Sequence, residues 1–131
     1  MKAPNPYTTS LLFKAEGTAD SVLAGVKDVT RRLAATDADG PHRYAAGKLS
    51  RAMRRDQRAG GKPFAELRLK RVERIPLAPI SQEEVRREGF PAMSPREFLA
   101  MFRKLNGLGP RANPDVWRIE FRVEKVLEVV R

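Results

Sequence analysis

From Phe64 the chain alternates apolar and polar positions: Ala65, Leu67 and Leu69 against Glu66, Arg68 and Lys70. A period of two places one set of residues on each face of a strand. At Arg71–Val72 the parity switches, which predicts a bulge. Trp117, Ile119, Phe121 and Val123 alternate in the same way with Arg118, Glu120, Arg122 and Glu124, and their parity shifts at Lys125–Val126. Two long strands, each bulged and apolar on one face, suit a small, strongly curved sheet or barrel. Tyr7 to Phe13 reads as a first strand, rich in residues a sheet accepts. Leu49–Arg55 forms a hairpin with the Phe64 strand across the breaker Ala59-Gly60-Gly61-Lys62-Pro63.

Helical spacing occupies the remainder. Thr18 is placed to cap a short helix over Ala19–Ala24, with Asp20 in its first turn and Gly25 as its stop. Ser81 is placed to cap Gln82–Glu88, with Glu84 at the capping-box position. Ser94-Pro95-Arg96-Glu97 is a fuller start, with serine, proline and glutamate each where a helix N-terminus uses them. Phe98, Met101, Phe102 and Leu105 follow as a core stripe, and Asn106-Gly107 ends it. Residues 36–48 and 108–115 read as loops. The order is strand, short helix, loop, hairpin, two helices, long strand: an α+β domain with a small curved sheet. Its 131 residues suffice for one core, with residues 1–6 as a flexible tail and 7–131 as a single domain.

Charge adds a partner to this picture. The formal net charge is +10 and the isoelectric point is near 10.7. Between His42 and Ile75 eleven Lys and Arg face three acids, an excess of +8. Clustered cations of this kind release counterions from phosphates, so the expected partner is nucleic acid. Arg68, Lys70, Arg118 and Arg122 are the outward partners of apolar positions and read as the polar side of a sheet. Arg51, Arg54, Arg55 and Arg58 instead crowd a hairpin tip beside a glycine-rich loop. Arg43, Lys48 and Lys62 extend the same basic region. Phe64, Phe98, Phe102, Trp117 and Phe121 fall on apolar faces, which leaves Tyr7, Tyr44 and Phe90 to stack on bases. Phosphate contact, or one nucleotide in a pocket, therefore fits better than a broad stacking platform.

Other chemistry is narrowed by what the chain lacks. It has no cysteine and one histidine, His42, within the polar run Asp39–Arg43. Thiolate sites are excluded, a single loop histidine argues against a Ser-His-Asp triad, and no metal or other cofactor is expected. No apolar run approaches the ~20 residues of a membrane span, no helix has a basic face opposite a wide apolar one, and Met1–Tyr7 has no apolar core of a signal peptide. A cytoplasmic location without a membrane partner is expected.

Lys27 and Thr30 stand three apart, after Gly25 and before Arg31 and Arg32. Threonine attacks a carbonyl only when a base takes its proton, and a lysine serves if burial lowers its pKa. The same lysine can grip a phosphate, or belong to an ordinary solvated turn. Gly25-x-Lys27-x-x-Thr30-x-Arg32 resembles the G-x-K-x-x-[ET]-x-R signature of the ASCH domain, a PUA-like family. Glu88-Gly89-Phe90, Ser94-Pro95-Arg96-Glu97-Phe98 and Trp117-Arg118-Ile119-Glu120-Phe121 resemble that family's E-G-F segment, following helix and closing strand. The resemblance spans roughly residues 7 to 125. It implies a small PUA-like β-barrel of about five to six strands flanked by short helices, with a nucleotide-sized cleft floored by Gly25–Arg32.

It also implies RNA or another single-stranded nucleic acid as the partner, RNA ahead of DNA, or a modified nucleoside. Lys27, Arg31, Arg32, Arg43, Lys48, Arg51, Arg54, Arg55, Arg58 and Lys62 would then be the nucleic-acid contacts. One branch of the family is similar to N4-acetylcytidine amidohydrolases, whose Lys-Thr-Glu triad falls on Lys27, Thr30 and Glu88. There Lys27 would activate Thr30 and Glu88 would relay protons. A metal-independent ribonuclease in the same cleft is a further alternative. Glu88 also fits a plain ion pair with Lys27 or Arg32.

Overall fold

The fold, a computed structural model, describes residues 5–15, 17–34, 44–55 and 61–128. Its elements run β1 (Leu11–Leu12), α1 (Thr18–Leu23), β2 (Val29–Leu33), β3 (Leu49–Met53), β4 (Pro63–Pro76), α2 (Gln82–Arg87), α3 (Pro95–Leu105) and β5 (Asp115–Val126). The strands form one sheet in the order β1-β3-β4-β5-β2. Only β1 and β3 are parallel; the other neighbours are antiparallel. The result is a curled half-barrel with three short helices, the α+β architecture that the strand pattern predicts.

Both predicted bulges are present. On β4, Leu69 pairs with Phe121 and Arg71 with Glu120, so Lys70 has no opposite residue. On β5, Glu66 faces Lys125 and Leu67 faces Val123, so Glu124 is the extra residue. The apolar faces of β4 and β5 meet Leu11, Phe13, Ala19 and Val22 in one core cluster. A second cluster joins Val116 and Leu77 to Val85, Phe98 and Phe102 beneath α2 and α3.

The helix ends follow their caps. Ser94 and Glu97 close a full capping box on α3, and Gly107 has the positive φ its C-terminal turn needs. Ser81 Oγ accepts from the Glu84 amide, but the Glu84 carboxylate turns elsewhere. After α1, the Val26 amide bonds Ser21 O and the Gly25 amide bonds Val22 O, a Schellman turn with Gly25 at φ 75°.

The structure corrects five expectations. Thr18 is the first helical residue, not the cap; Gly17 precedes it in the left-handed region, and Thr18 Oγ1 donates to Ala15 O. Val29–Leu33 is a strand that the sequence reading missed, since its two charged residues hide the alternation. Leu105 is 65% exposed, past the edge of the stripe made by Phe98 and Phe102. Arg118, expected outward, is buried. The first strand, expected over Tyr7–Phe13, is Leu11–Leu12 with an isolated bridge from Tyr7 to Leu49. Asn5 and Pro6 accept bonds from Lys48 Nζ and the Leu49 amide. Residues 1–4 lie outside the described residues, as does His42. Among the described residues no helix is long and apolar enough to cross a membrane.

Candidate functional site

The segment Gly25–Arg32 leaves the Schellman turn and enters β2, an edge strand. Alternation then divides its side chains. Thr30 and Arg32 point to one face and Arg31 to the other, because successive strand residues face opposite sides. The motif residues are therefore split between two faces, although the Arg32 charge still acts on Lys27 and is favoured by Glu88.

On the α2 side, Lys27 is 4% exposed and donates three bonds: to Val29 O at 3.0 Å, Glu88 O at 2.9 Å and Glu88 Oε1 at 3.0 Å. An ammonium has three protons, so all are spent. Burial lowers the Lys27 pKa, and the Glu88 carboxylate opposes that shift. Glu88 Oε2 accepts from Arg31 Nη1 at 2.9 Å. The expected ion pair of Glu88 with Lys27 is present, and its second partner is Arg31, not Arg32. Arg31 Nη2 continues to Glu84 Oε1 at 2.8 Å, and Glu84 is gripped in turn by Arg118 from β5. The Arg118 and Arg31 guanidiniums hold the Glu84 carboxyl down at about 2, against the cost of desolvation. Arg87 adds a fork onto Asp28, at 3.1 Å to each oxygen, and a bond to Glu120.

Gly89 explains its place after Glu88. Its φ is 100°, and an added Cβ would sit 3.2 Å from Lys27 Cβ and 3.4 Å from Ser21 Cβ. A side chain there would push the buried lysine stem away. Phe90 then packs against the second core cluster and tilts on Phe98, at 6.1 Å between ring centroids. Glu-Gly-Phe thus works as a latch: a carboxylate for Lys27, a gap for its stem, and an anchor in the core.

On the other face, Thr30 has no exposed surface. Its Oγ1 accepts from Arg32 Nη1 at 2.8 Å, while Lys27 spends its protons elsewhere. Arg32 Nη2 crosses to Leu12 O on β1 at 2.7 Å, and the guanidinium lies 5.2 Å from the Phe13 ring centroid. Strands β1 and β2 are the two sheet edges, so Arg32 is a clasp across the mouth of the half-barrel. An open depression of about 520 Å³ does lie beside this segment, lined by Arg31, Glu73, Glu84 and Arg118 with Ile75 and Ile80. Of the Gly25–Arg32 segment Arg31 lines it, while Lys27 and Thr30 do not.

The remaining predicted contacts have different fates. Arg54 is held by Glu128 and Asp20 and lies 5.2 Å from the Phe64 ring centroid. Arg51 is exposed, with its guanidinium 3.7 Å from the Tyr7 ring centroid. Arg55 and Lys62 are exposed. Lys48 bonds Asn5 O. Arg43 and Arg58 lie outside the described residues. Of the stacking candidates, Tyr44 is buried, Phe90 is core, and Tyr7 bonds Glu66 beneath Arg51. Among the described residues no group of three or more His, Asp or Glu side chains is placed to hold a metal.

Sequence reasoning missed the part played by Glu84, Arg87 and Arg118. Glu84 and Glu88 stand four apart on a helix, so their shared face was legible. The partners Arg31 and Arg118 follow only from the β2–β5 register, which sets those two residues opposite each other.

This topology has solved counterparts. An ASCH domain from Lactobacillus crispatus JV V101 superposes with a TM-score of 0.65 at 19% identity, over 91% of this chain and 80% of that one. The fold is that of an ASCH domain. A DUF984 protein from Enterococcus faecalis V583 shares the ASCH-like fold, with a TM-score of 0.63 at 17% identity over 100% of this chain and 88% of that one. No family model matches the sequence, and no curated protein matches it significantly. In this ASCH-like chain the lysine and glutamate motifs meet in one ion-paired cluster, while the second arginine bonds threonine and the β1 edge.

Proposed function

We propose that this ASCH-like domain binds nucleic acid by phosphate contact, with RNA favoured over DNA. The observation that carries the reading is the +8 excess between His42 and Ile75, a segment that contains β3 and all but the last residue of β4. Such a surface binds a polyanion by counterion release, with affinity that falls steeply as salt rises. The buried cations Lys27 and Arg31 and the clasp Arg32 support the fold, so the hairpin contributes through Arg51, Arg55 and Lys62. Arg54 is tied to two carboxylates and braces the hairpin.

Fluorescence anisotropy with a short labelled RNA across a salt series tests this. Binding is expected to weaken with a slope of about 0.7 per phosphate contact on single strands. Arg51→Ala/Arg55→Ala/Lys62→Ala is expected to reduce both affinity and slope. A salt-independent affinity, or none, rejects the reading.

One observation favours a second reading, the N4-acetylcytidine amidohydrolase: Lys27 Nζ and Glu88 Oε1 are in contact at 3.0 Å. Burial also lowers the Lys27 pKa, as a general base needs. Against it stand the three spent protons of Lys27 and the fully buried Thr30. Release of cytidine from N4-acetylcytidine, lost in Thr30→Val, supports it; no turnover at high enzyme concentration rules it out.

A further inference from the structure

Charge on the outer side of β4 and β5 exceeds what the domain itself uses. We propose that this face is a track for a nucleic-acid backbone, centred on Lys70, Arg71, Arg122 and Lys125. The proposal rests on the nucleic-acid reading above and gives it a surface distinct from the motif cluster, one that continues across Glu66 to Arg51 of β3.

The bulge on β4 makes the first half of the track. Leu69 is fully buried and Val72 packs against the same core, while Lys70 and Arg71 between them are both exposed. Strict alternation would have turned Arg71 toward the core. The unpaired Lys70 brings two successive cations to the solvent side, as bulges do when they re-aim a side chain. The second half comes from register. Arg68 stands directly opposite Arg122, and Lys125 opposite Glu66. Facing like charges oppose pairing, and Glu124 alone offsets them, reaching Arg68 at 3.1 Å and Arg122 at 3.3 Å.

These cations are available to a ligand. Arg71 and Arg122 have side chains 66% and 63% exposed, and among the described residues Lys70 and Lys125 make no ion pair. The neighbouring carboxylates are engaged within the domain. Glu66 accepts from the Tyr7 hydroxyl, Glu120 from Arg87, and Glu73 is shared between Arg118 and Arg71. Same-face positions on a strand repeat about every 7 Å, so the ladder presents a row of positive charge to a chain of repeating negative charge. Tyr7, which bonds Glu66 opposite Lys125, has its ring occupied by Arg51 at 3.7 Å, so the contact is with phosphates and independent of sequence.

The test uses the full chain in three forms. A face variant carries Lys70→Ala, Arg71→Ala, Arg122→Ala and Lys125→Ala. A hairpin variant carries Arg51→Ala, Arg55→Ala and Lys62→Ala. A charge-conserving face variant carries Lys70→Arg, Arg71→Lys, Arg122→Lys and Lys125→Arg. Anisotropy titrations with a labelled single-stranded RNA are run across a salt series, with circular dichroism confirming the fold. The face variant is expected to bind about 100-fold more weakly at low salt, with a salt slope smaller by about 3. The charge-conserving variant should bind as the wild type does. If the face variant keeps wild-type affinity and slope while the hairpin variant loses both, the track is wrong and the nucleic-acid reading stands. If the wild type has no affinity for RNA, the reading fails and the track with it.

Discussion

Lys27 carries its charge into a site almost without water, and every proton on it is bound. An ammonium in that position is held by the acceptors around it: two backbone carbonyls and the Glu88 carboxylate. Removing one partner of a buried pair leaves the other charge uncompensated, at a cost of about 3–5 kcal/mol. Lys27→Met keeps the stem and removes the charge. It is expected to lower the unfolding free energy by that amount in urea titrations, while the folded protein keeps its affinity for RNA. Unchanged stability with lost affinity would instead make Lys27 a ligand contact. The lysine, threonine and glutamate were legible in the sequence as a set. Their division was not, because it depends on β2 being a strand, and Val29-Thr30-Arg31-Arg32-Leu33 has a buried arginine where alternation calls for an apolar residue.

Helix α2 has six residues, too few to be stable alone. Side chains on one of its faces dock it: Glu84 to Arg31 and Arg118, Arg87 to Asp28 and Glu120, Glu88 to Lys27 and Arg31. The docking is sensitive to acid, with a definite sign. Glu84 titrates at about 2 when folded and near the usual 4.5 when unfolded. The folded state therefore binds fewer protons between those values, and stability falls as pH drops from about 4.5 to 2. After allowance for solvent screening Glu84 contributes about 2 kcal/mol to this loss. Glu84→Gln is expected to be less stable at neutral pH and to show a shallower decline below pH 4.5 (the unfolded value above) in denaturant midpoints. An equally steep decline in the variant would contradict the assignment. The caps of α2 and α3 could be read in advance, since a serine and the residue three after it form a local signal. The docking could not, because Glu84 gives its amide to the cap and its carboxylate to strands remote in sequence.

At the scale of the whole molecule, two devices set the shape. The bulges on β4 and β5 curl the sheet, and Arg32 spans the two edge strands from β2 to Leu12 O. The bulges were visible as parity switches, while the clasp depends on the edges β1 and β2 coming within reach of one side chain. Charge divides in the same way. The net +10 and its concentration are properties of composition. The steep salt dependence that the proposed binding calls for would belong to the entire surface. Alternation fixed the long strands, caps fixed the helix ends, and the excess of cations implied a polyanion, because each of these is encoded by neighbours in the chain. Tertiary structure alone decided which cations are buried and which stay exposed. Lys27, Arg31, Arg32 and Arg118 vanish into pairs, and Lys70, Arg71, Arg122 and Lys125 remain outside. The physical reason is that an ion pair is set by ladder register and helix docking, which bring together residues far apart in sequence and leave no local trace in either.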